Sequence, residues 1–569
     1  MKKTAGRILI CLLILCLLAA CNKTGQPSKI QETRTSPHGQ GLQPNAYGVW
    51  PTDDFQTSSP EKQGVDANVI LERLETAQKK GELPDSYLVM RNGYLISETY
   101  FHGYDKDTAH TMYSVTKSIL SALVGIAIED GYISGVEQKV QDFFPEVPLT
   151  DDLQYKKEMT IEHLLTMTSG VWGDEKWEEM DSAESMGAAL FTLAQKKEPG
   201  EQFRYDSMAT NLLAILVSRA TGEKLYDYAK ERLFDPLGMD SVVWEANNAD
   251  ENCGGYGISM TPRDMLRFGY LYLNYGRWED RQIVPPDWVA QSPPQLQQSG
   301  AYGRLFWANE DNPEDGYEAA GMYGQYITIF PELNMVVVVT NNDNKNREIL
   351  YKDIKKGLSD TPLPENPQAQ ENLAKLGQDA AQQPGYDDMQ KQFKVKKTYE
   401  VDPETLKAAG HGSTPAPSYS RTEQGWRLES AGWQSGVETR ESFQYPLMVT
   451  VTYIPDENSC FTTGFRDGAA SFCHRQTGCG FSVSDFSTGI PSDYMNRKIP
   501  MSGEPVTAQW ILKDAFQALT VNGETLLYNT ENAYRNKTSE SKRRKKAPLF
   551  FSAQSGGVVI QRITISELQ

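Results

Sequence analysis

Residues 112 to 131 read MYSVTKSILSALVGIAIEDG. After Lys117 the apolar residues Ile119, Leu120, Leu123, Val124, Ile126 and Ile128 are spread around the helix, broken only by Ser, Ala and Gly. A helix apolar nearly all round is buried nearly all round, so this one lies at the centre of a domain. The chain can build such a domain. It has 569 residues, enough for roughly three to four domains at ~150 residues each, and a 39% hydrophobic content.

The polar residues at the mouth of that helix are Ser114 and Lys117. Residues three apart share a helix face, so the amine lies one turn inward, beside the hydroxyl. Burial opposes a charged amine and lowers its pKa. A neutral amine beside a serine hydroxyl can take its proton, and the positive end of the helix dipole favours negative charge on Oγ. Ser-x-x-Lys by itself is a cheap pattern: it recurs at Ser59–Lys62 and Ser539–Lys542, in polar, loop-like sequence. Only the Ser114 copy opens an apolar helix.

Strand signals flank the helical stretches. Tyr87–Met90 and Tyr94–Ser97 bracket Asn92-Gly93, a hairpin turn pair. A second pair is expected at Gln325–Phe330 and Met335–Thr340, around Pro331–Asn334. Strands at both ends with helices between predict an α+β domain, in which an antiparallel sheet is assembled from both ends of the segment around a helical insert.

The order of further motifs resembles the serine β-lactamase and penicillin-binding-protein superfamily, in its class C-like branch of esterases and 6-aminohexanoate-dimer hydrolases. After Ser114 and Lys117 come Met159–Gly170 (MTIEHLLTMTSG), Pro199–Tyr205 (PGEQFRY), Leu237-Gly238-Met239 and Thr261–Gly269 (TPRDMLRFG). S-x-x-K is a signature of such enzymes. The resemblance covers about residues 60 to 350 and implies a β-lactamase-like fold. It assigns Ser114 as nucleophile, Lys117 as its partner and Tyr205, in Tyr205-Asp206-Ser207, as a phenol that takes or returns a proton; beside Lys117 its phenolate can be stabilised. Ser207 stands where Asn is frequent, and its hydroxyl can still bond Lys117. His163 belongs to a structural motif. Ala319-Ala320-Gly321 aligns where many relatives carry Lys-Thr-Gly. Ala319 lacks the cation that pairs with a substrate carboxylate. Gly321 keeps the close backbone approach, the backbone N–H groups of Ser114 and Met322 are the expected oxyanion hole, and Gln325 is a supporting residue on the same strand pair.

Outside this region, Lys2, Lys3 and Arg7 followed by apolar Ile8–Leu18 and Leu18-Ala19-Ala20-Cys21 look like a bacterial lipoprotein leader, with Cys21 as the acylated residue. Asn22 rather than Asp after it points to the outer membrane in a Gram-negative host. The expected division is a leader at 1–20, a tether at 21–45, the hydrolase domain at 46–358, a linker at 359–394, rich in Pro, Gln, Asn and Asp and with a short helix at Glu371–Ala381, and a β-sandwich, jelly-roll-like accessory domain at 395–569. That last region holds alternating runs such as Leu447–Tyr453 and Val558–Ile565, with Trp426, Trp433 and Trp510 among them. Core packing is the expectation for these tryptophans, and carbohydrate stacking is the alternative. The net charge of −19 argues against nucleic acid as a partner, the basic run Lys542–Lys546 notwithstanding. No C-x-x-C or H-E-x-x-H occurs, so neither a metal nor another cofactor is expected. Two of Cys460, Cys473 and Cys479 can pair in an exported protein.

The expected function is hydrolysis of an ester or amide through an acyl-enzyme on Ser114. The alternatives are a β-lactamase or D-Ala-D-Ala peptidase and, in another class, a cell-surface binding protein on a hydrolase scaffold.

Overall fold

Two apolar runs far apart in the chain, Ser86–Arg91 and Met335–Thr340, pair antiparallel and hold the first domain together. The computed structural model describes residues 48–569 apart from 81, 102–103, 150, 177–178, 181–184, 245, 248–249, 295–300, 310–315, 342–353, 382–390, 411–416, 430–434, 457–458, 466–467, 476–477, 486–489, 498–503, 514–516, 530–545 and 554–555. The leader, Cys21, the tether, Trp433 and most of the basic run lie outside the described residues.

The first domain starts with helix α1 (Ala67–Lys80), then strands β1 (Ser86–Arg91) and β2 (Tyr94–Tyr100), the short β3 (His110–Thr111) and helix α2 (Val115–Glu129). Helix α3 (Ser207–Thr221), strands β4 (Val243–Trp244) and β5 (Ile258–Met260) and helix α4 (Pro262–Leu273) follow. The sheet resumes with β6 (Trp307–Ala308), β7 (Tyr317–Gly321), β8 (Gln325–Phe330) and β9 (Met335–Thr340). The strand order is β2-β1-β9-β8-β7-β6. The β1–β2 turn is the expected one, with Asn92 and Gly93 both at positive φ, 55° and 85°.

Side chains alternate across a strand, and here both faces are covered. Leu88, Met90, Ile327, Ile329, Val336 and Val338 face the core that encloses α2, α3 and α4. Tyr87, Val89, Tyr326, Phe330, Val337 and Val339 face α1 and a later helix, α5 (Pro367–Ala381). Helix α2 is the buried centre that its sequence demands: every residue from Val115 to Ala127 is buried. A side chain at Gly125 would stand 2.6 Å from the Trp288 ring, so only hydrogen fits there.

Helix α5 falls within the segment whose Pro, Gln and Asn content reads as a linker. It is longer than the expected Glu371–Ala381 and packs on the first domain through Ala369, Leu373 and Leu376. Their spacing of four and three residues makes one narrow apolar stripe in a polar helix.

The C-terminal region is built of strands. One sheet runs in the order Tyr419–Arg421, Trp426–Glu429, Gly557–Leu568, Leu447–Pro455, Val506–Leu512, Gln517–Val521, Glu524–Asn529, with Val395–Val401 also on Gly557–Leu568. The other runs Lys407–Gly410, Ser435–Glu438, Leu549–Ala553, Cys460–Phe465, Gly468–Arg475, Gly478–Asp485, Ile490–Arg497. Val449, Val451 and Trp510 from the first share a core with Phe461 and Phe551 from the second, so the two sheets form a sandwich. Trp510 is core; Trp426 is half-buried and stacked on Tyr419. Cys460 is disulfide-bonded, and Cys473 is its register partner on the neighbouring strand. Tyr104, from the loop before β3, joins the sandwich core and stacks on His110 with ring centroids 4.3 Å apart. The chain as a whole is α+β, a β-lactamase-like domain followed by a sheet-rich region.

Candidate active site

Helix α2 starts at the site. Ser114 is its N-cap residue, and Tyr113 before it is held at φ 47°. That left-handed conformation is costly for a residue with a side chain and is tolerated only where the surroundings enforce it. One turn in, Lys117 is 1% exposed, with Nζ 3.0 Å from Ser114 Oγ, 3.1 Å from Ser207 Oγ and 2.7 Å from the Gly255 carbonyl oxygen. Burial drives its pKa down to about 7, against an upward pull from Asp174 and Asp206. A neutral amine has two N–H donors and one lone pair. The Gly255 oxygen can only accept, so the lone pair is left for one of the two hydroxyls.

Tyr205 completes the cluster. Its phenol bonds the Ser114 hydroxyl, and Lys117 Nζ lies 4.8 Å from its ring centroid. Burial raises the phenol well above its ordinary pKa, and the bond from Ser114 only partly offsets this. The sequence reading allowed a stabilised phenolate. The structure instead holds a neutral phenol at neutral pH, because desolvation outweighs the hydrogen bond.

Two carboxyls outside the sequence assignment fasten the start of α3. Asp174, in the short helical turn Gly173–Lys176, accepts from the backbone N–H of Ser207 (3.0 and 3.1 Å) and of Met208 (3.0 Å). Asp206 caps α3 by accepting from Ala209 N–H at 2.8 Å, and accepts from Asp174 N–H at 3.1 Å. Burial raises both carboxyls, Asp206 to about 7. Each carboxyl accepts from two N–H groups, and Asp174 also has Lys117 opposite, which makes it the better holder of negative charge. The loop Cys253–Gly257 closes the cradle: Gly255 N–H donates to Asn211 Oδ1 at 2.8 Å, and a Cβ on Gly255 would stand 2.7 Å from the Ser207 carbonyl oxygen.

On the other side of Ser114, the end of β7 lies against Met112: a Cβ on Gly321 would be 2.3 Å from the Met112 carbonyl oxygen. Ala319 is fully buried in the core, so its position is occupied by packing. Met322 and Tyr323 form the turn into β8, with Met322 49% exposed, one of three large apolar side chains so exposed among the described residues. Gln325 is turned inward: its side chain donates to the Asn341 carbonyl and accepts from Asn341 N–H at 3.4 Å, bracing β8 against the end of β9. Aromatic rings flank both sides. Tyr113 meets Tyr323 edge-on at 5.2 Å, and Tyr205 stacks on Trp307 at 5.5 Å. His163 is remote in role: its Nδ1 accepts from Thr160 N–H at 3.0 Å in a capping box.

The structure thus brings Ser114, Lys117, Tyr205 and Ser207 into one hydrogen-bonded cluster and sets Gly321 and Met322 beside it. Sequence reasoning missed Asp174, Gly255, Tyr113, Tyr323 and Trp307. The one local signal was the Gly-rich Cys253–Gly257 stretch, CGGYG. Among the described residues no group of three or more His, Cys, Asp or Glu is placed to hold a metal, and no helix is long and apolar enough to cross a membrane.

The protein family described as Beta-lactamase matches residues 71–359. The 6-aminohexanoate-dimer hydrolase of Paenarthrobacter ureafaciens is 23% identical over 312 residues, 49% of this chain and 79% of that protein. Among solved structures, a family VIII carboxylesterase superposes with a TM-score of 0.42 at 15% identity, over 57% of this chain and 98% of its own. A penicillin-binding protein from Bacillus halodurans gives 0.40 at 18%, over 50% and 98%.

Proposed function

Because this chain belongs to the Beta-lactamase family of serine hydrolases, we propose that it hydrolyses a neutral ester or amide through an acyl-enzyme on Ser114. The single observation that carries the reading is the Lys117 amine. It is buried, near neutral pKa, and bonded at once to Ser114, Ser207 and Gly255.

In acylation, the Lys117 lone pair takes the Ser114 hydroxyl proton as Oγ attacks the substrate carbonyl. Charge collects on the carbonyl oxygen, facing the backbone N–H groups of Ser114 and Met322. The new ammonium is matched by the Gly255 carbonyl, the Ser207 hydroxyl and the Asp174 carboxylate. The Tyr205 phenol then protonates the departing alkoxide or amine and regains its proton from Lys117. Water attacks the acyl carbonyl in the second half-reaction, and its proton returns to Ser114 by the same groups.

The surroundings favour uncharged substrates. Ala319 itself brings no cation to β7, and Tyr113, Tyr323, Met322 and Trp307 present apolar surface beside Ser114. Esters and amides, as the names of the carboxylesterase and 6-aminohexanoate-dimer hydrolase relatives suggest, fit that surface better than β-lactams or D-Ala-D-Ala peptides, whose carboxylates need a partner. For the whole protein we propose a lipid anchor at Cys21 in the bacterial envelope and the division given above. Palmitate labelling of wild type against Cys21→Ser tests the anchor. Activity against p-nitrophenyl esters, a small amide, a chromogenic β-lactam and a D-Ala-D-Ala peptide tests the substrate class. Turnover of the last two alone overturns it.

A further inference from the structure

We infer that Asp174 is a positioning residue of this site: it fastens the N-terminus of α3 and supplies the negative charge that Lys117 faces. The inference rests on the reading of Ser114, Lys117 and Tyr205 given above.

The geometry carries it. Ser207 must hold its hydroxyl 3.1 Å from Lys117 Nζ, and Ser207 is the first residue of α3. The first N–H groups of a helix have no partner within it. Here Asp206 satisfies only Ala209, while the N–H groups of Ser207 and Met208 both go to Asp174. Asp174 comes from a separate segment, Gly173–Lys176, seated tightly on α3: a Cβ on Gly173 would be 2.5 Å from that of Met208. One carboxylate therefore fixes the position of Ser207 against Lys117.

The same carboxylate acts on the amine through space. The groups around Lys117 are Ser114 on its own helix, Tyr205, Asp206 and Ser207 at the start of α3, the Gly255 carbonyl, and Asp174. Asp174 and Asp206 are the carboxyls that raise its proton affinity. Arg204 acts at one remove: it draws both carboxyls toward their charged forms and is itself paired with Glu175 at 3.2 Å. Removing the Asp174 charge leaves desolvation less opposed, so Lys117 loses its proton at lower pH.

The test is the pH dependence of kcat/KM for p-nitrophenyl acetate, with fluorophosphonate labelling of Ser114 as a control on the site. Asp174→Asn keeps one acceptor oxygen and the shape. Its acid limb should move to lower pH by about one unit, with a lower maximum. Asp206→Asn should move the limb less, because Asp174 is the larger of the two upward pulls on Lys117. A purely structural Asp174 would lower the rate at every pH and leave the limb in place, and that result overturns the inference. If Asp174→Asn fails to fold, Arg204→Gln is the second variant. It lets the pair retain its proton and should shift the limb in the same direction by a smaller amount; an unmoved limb overturns the inference. Failure of wild-type Ser114 to react with fluorophosphonate would instead remove the reading on which this rests.

Discussion

Gly321 and Met112 touch so closely that a single added carbon at Gly321 would stand 2.3 Å from the Met112 carbonyl oxygen. The contact is backbone to backbone, and it holds the end of β7 one residue before Met322 and two residues before Ser114. Gly321→Ala should force the two segments apart. Displacement of catalytic groups by about 1 Å costs roughly a hundredfold in rate. The expected result is a loss of kcat/KM of that order with an unchanged circular dichroism spectrum. Wild-type activity in this variant would show that the strand does not help form the site.

Lys117 governs the pH profile. Its pKa of about 7 lies below the ordinary lysine value of 10.5, so the neutral form required to accept the Ser114 proton accumulates as pH rises through 7. The kcat/KM of wild type should therefore climb through an apparent pKa near 7 and then level off. Lys117→Arg, which stays charged, should not rescue the activity lost in Lys117→Ala. A limb near pH 10 would place the active base elsewhere.

Substrate preference should follow the apolar turn. From p-nitrophenyl acetate to hexanoate, kcat/KM corrected for chemical reactivity should rise about tenfold or more, since even one methylene accepted by an apolar pocket brings roughly that gain. A carboxylate-terminated acyl chain of the same length should do worse. Tyr323→Asn suits the positive φ of 62° at this position and removes the ring; it should flatten the chain-length series. Preference for the anionic chain would contradict the reading of Ala319.

Lys156 makes a stability prediction away from the site. It is fully buried, its Nζ has no hydrogen-bond partner among the described residues, and the Phe191 ring centroid lies 5.4 Å away. Burial lowers its pKa from 10.5 to about 7. The folded pKa lies below the unfolded one, so the destabilisation is complete below pH 7 and fades as pH rises toward 10.5. Lys156→Met should stabilise the protein by roughly 2–4 kcal/mol at pH 7, and by progressively less at higher pH. Denaturant melts at pH 7 and 9 measure both effects, and a destabilised variant at pH 7 would refute the account.

Local pattern made much of this legible. Asn92-Gly93 marked the hairpin, the Gln325–Phe330 and Met335–Thr340 strands fell as their alternation indicates, and the apolar run after Ser114 gave the central helix. What local pattern cannot carry is contact between distant segments. Asp174 sits in a short polar turn, GDEK, indistinguishable in sequence from a solvated loop, and its meaning comes from α3 more than thirty residues later. Trp307 acquires its role only through the β6–β7 pairing that turns it toward Tyr205. The docking of helix α5 was hidden because three apolar residues suffice to seat an otherwise polar helix. Tyr104 belongs by sequence to the first domain and by packing to the core of the second.

The most direct test of the central claim is covalent labelling of Ser114. Wild-type protein treated with a fluorophosphonate should gain one adduct, located by peptide mass spectrometry on Ser114, and should lose ester hydrolysis in step with labelling. Ser114→Ala should take up no label and retain no more than background activity, because Ser114, Lys117 and Tyr205 act as one unit. Equal labelling of wild type and Ser114→Ala, or full activity in the variant, would contradict the account.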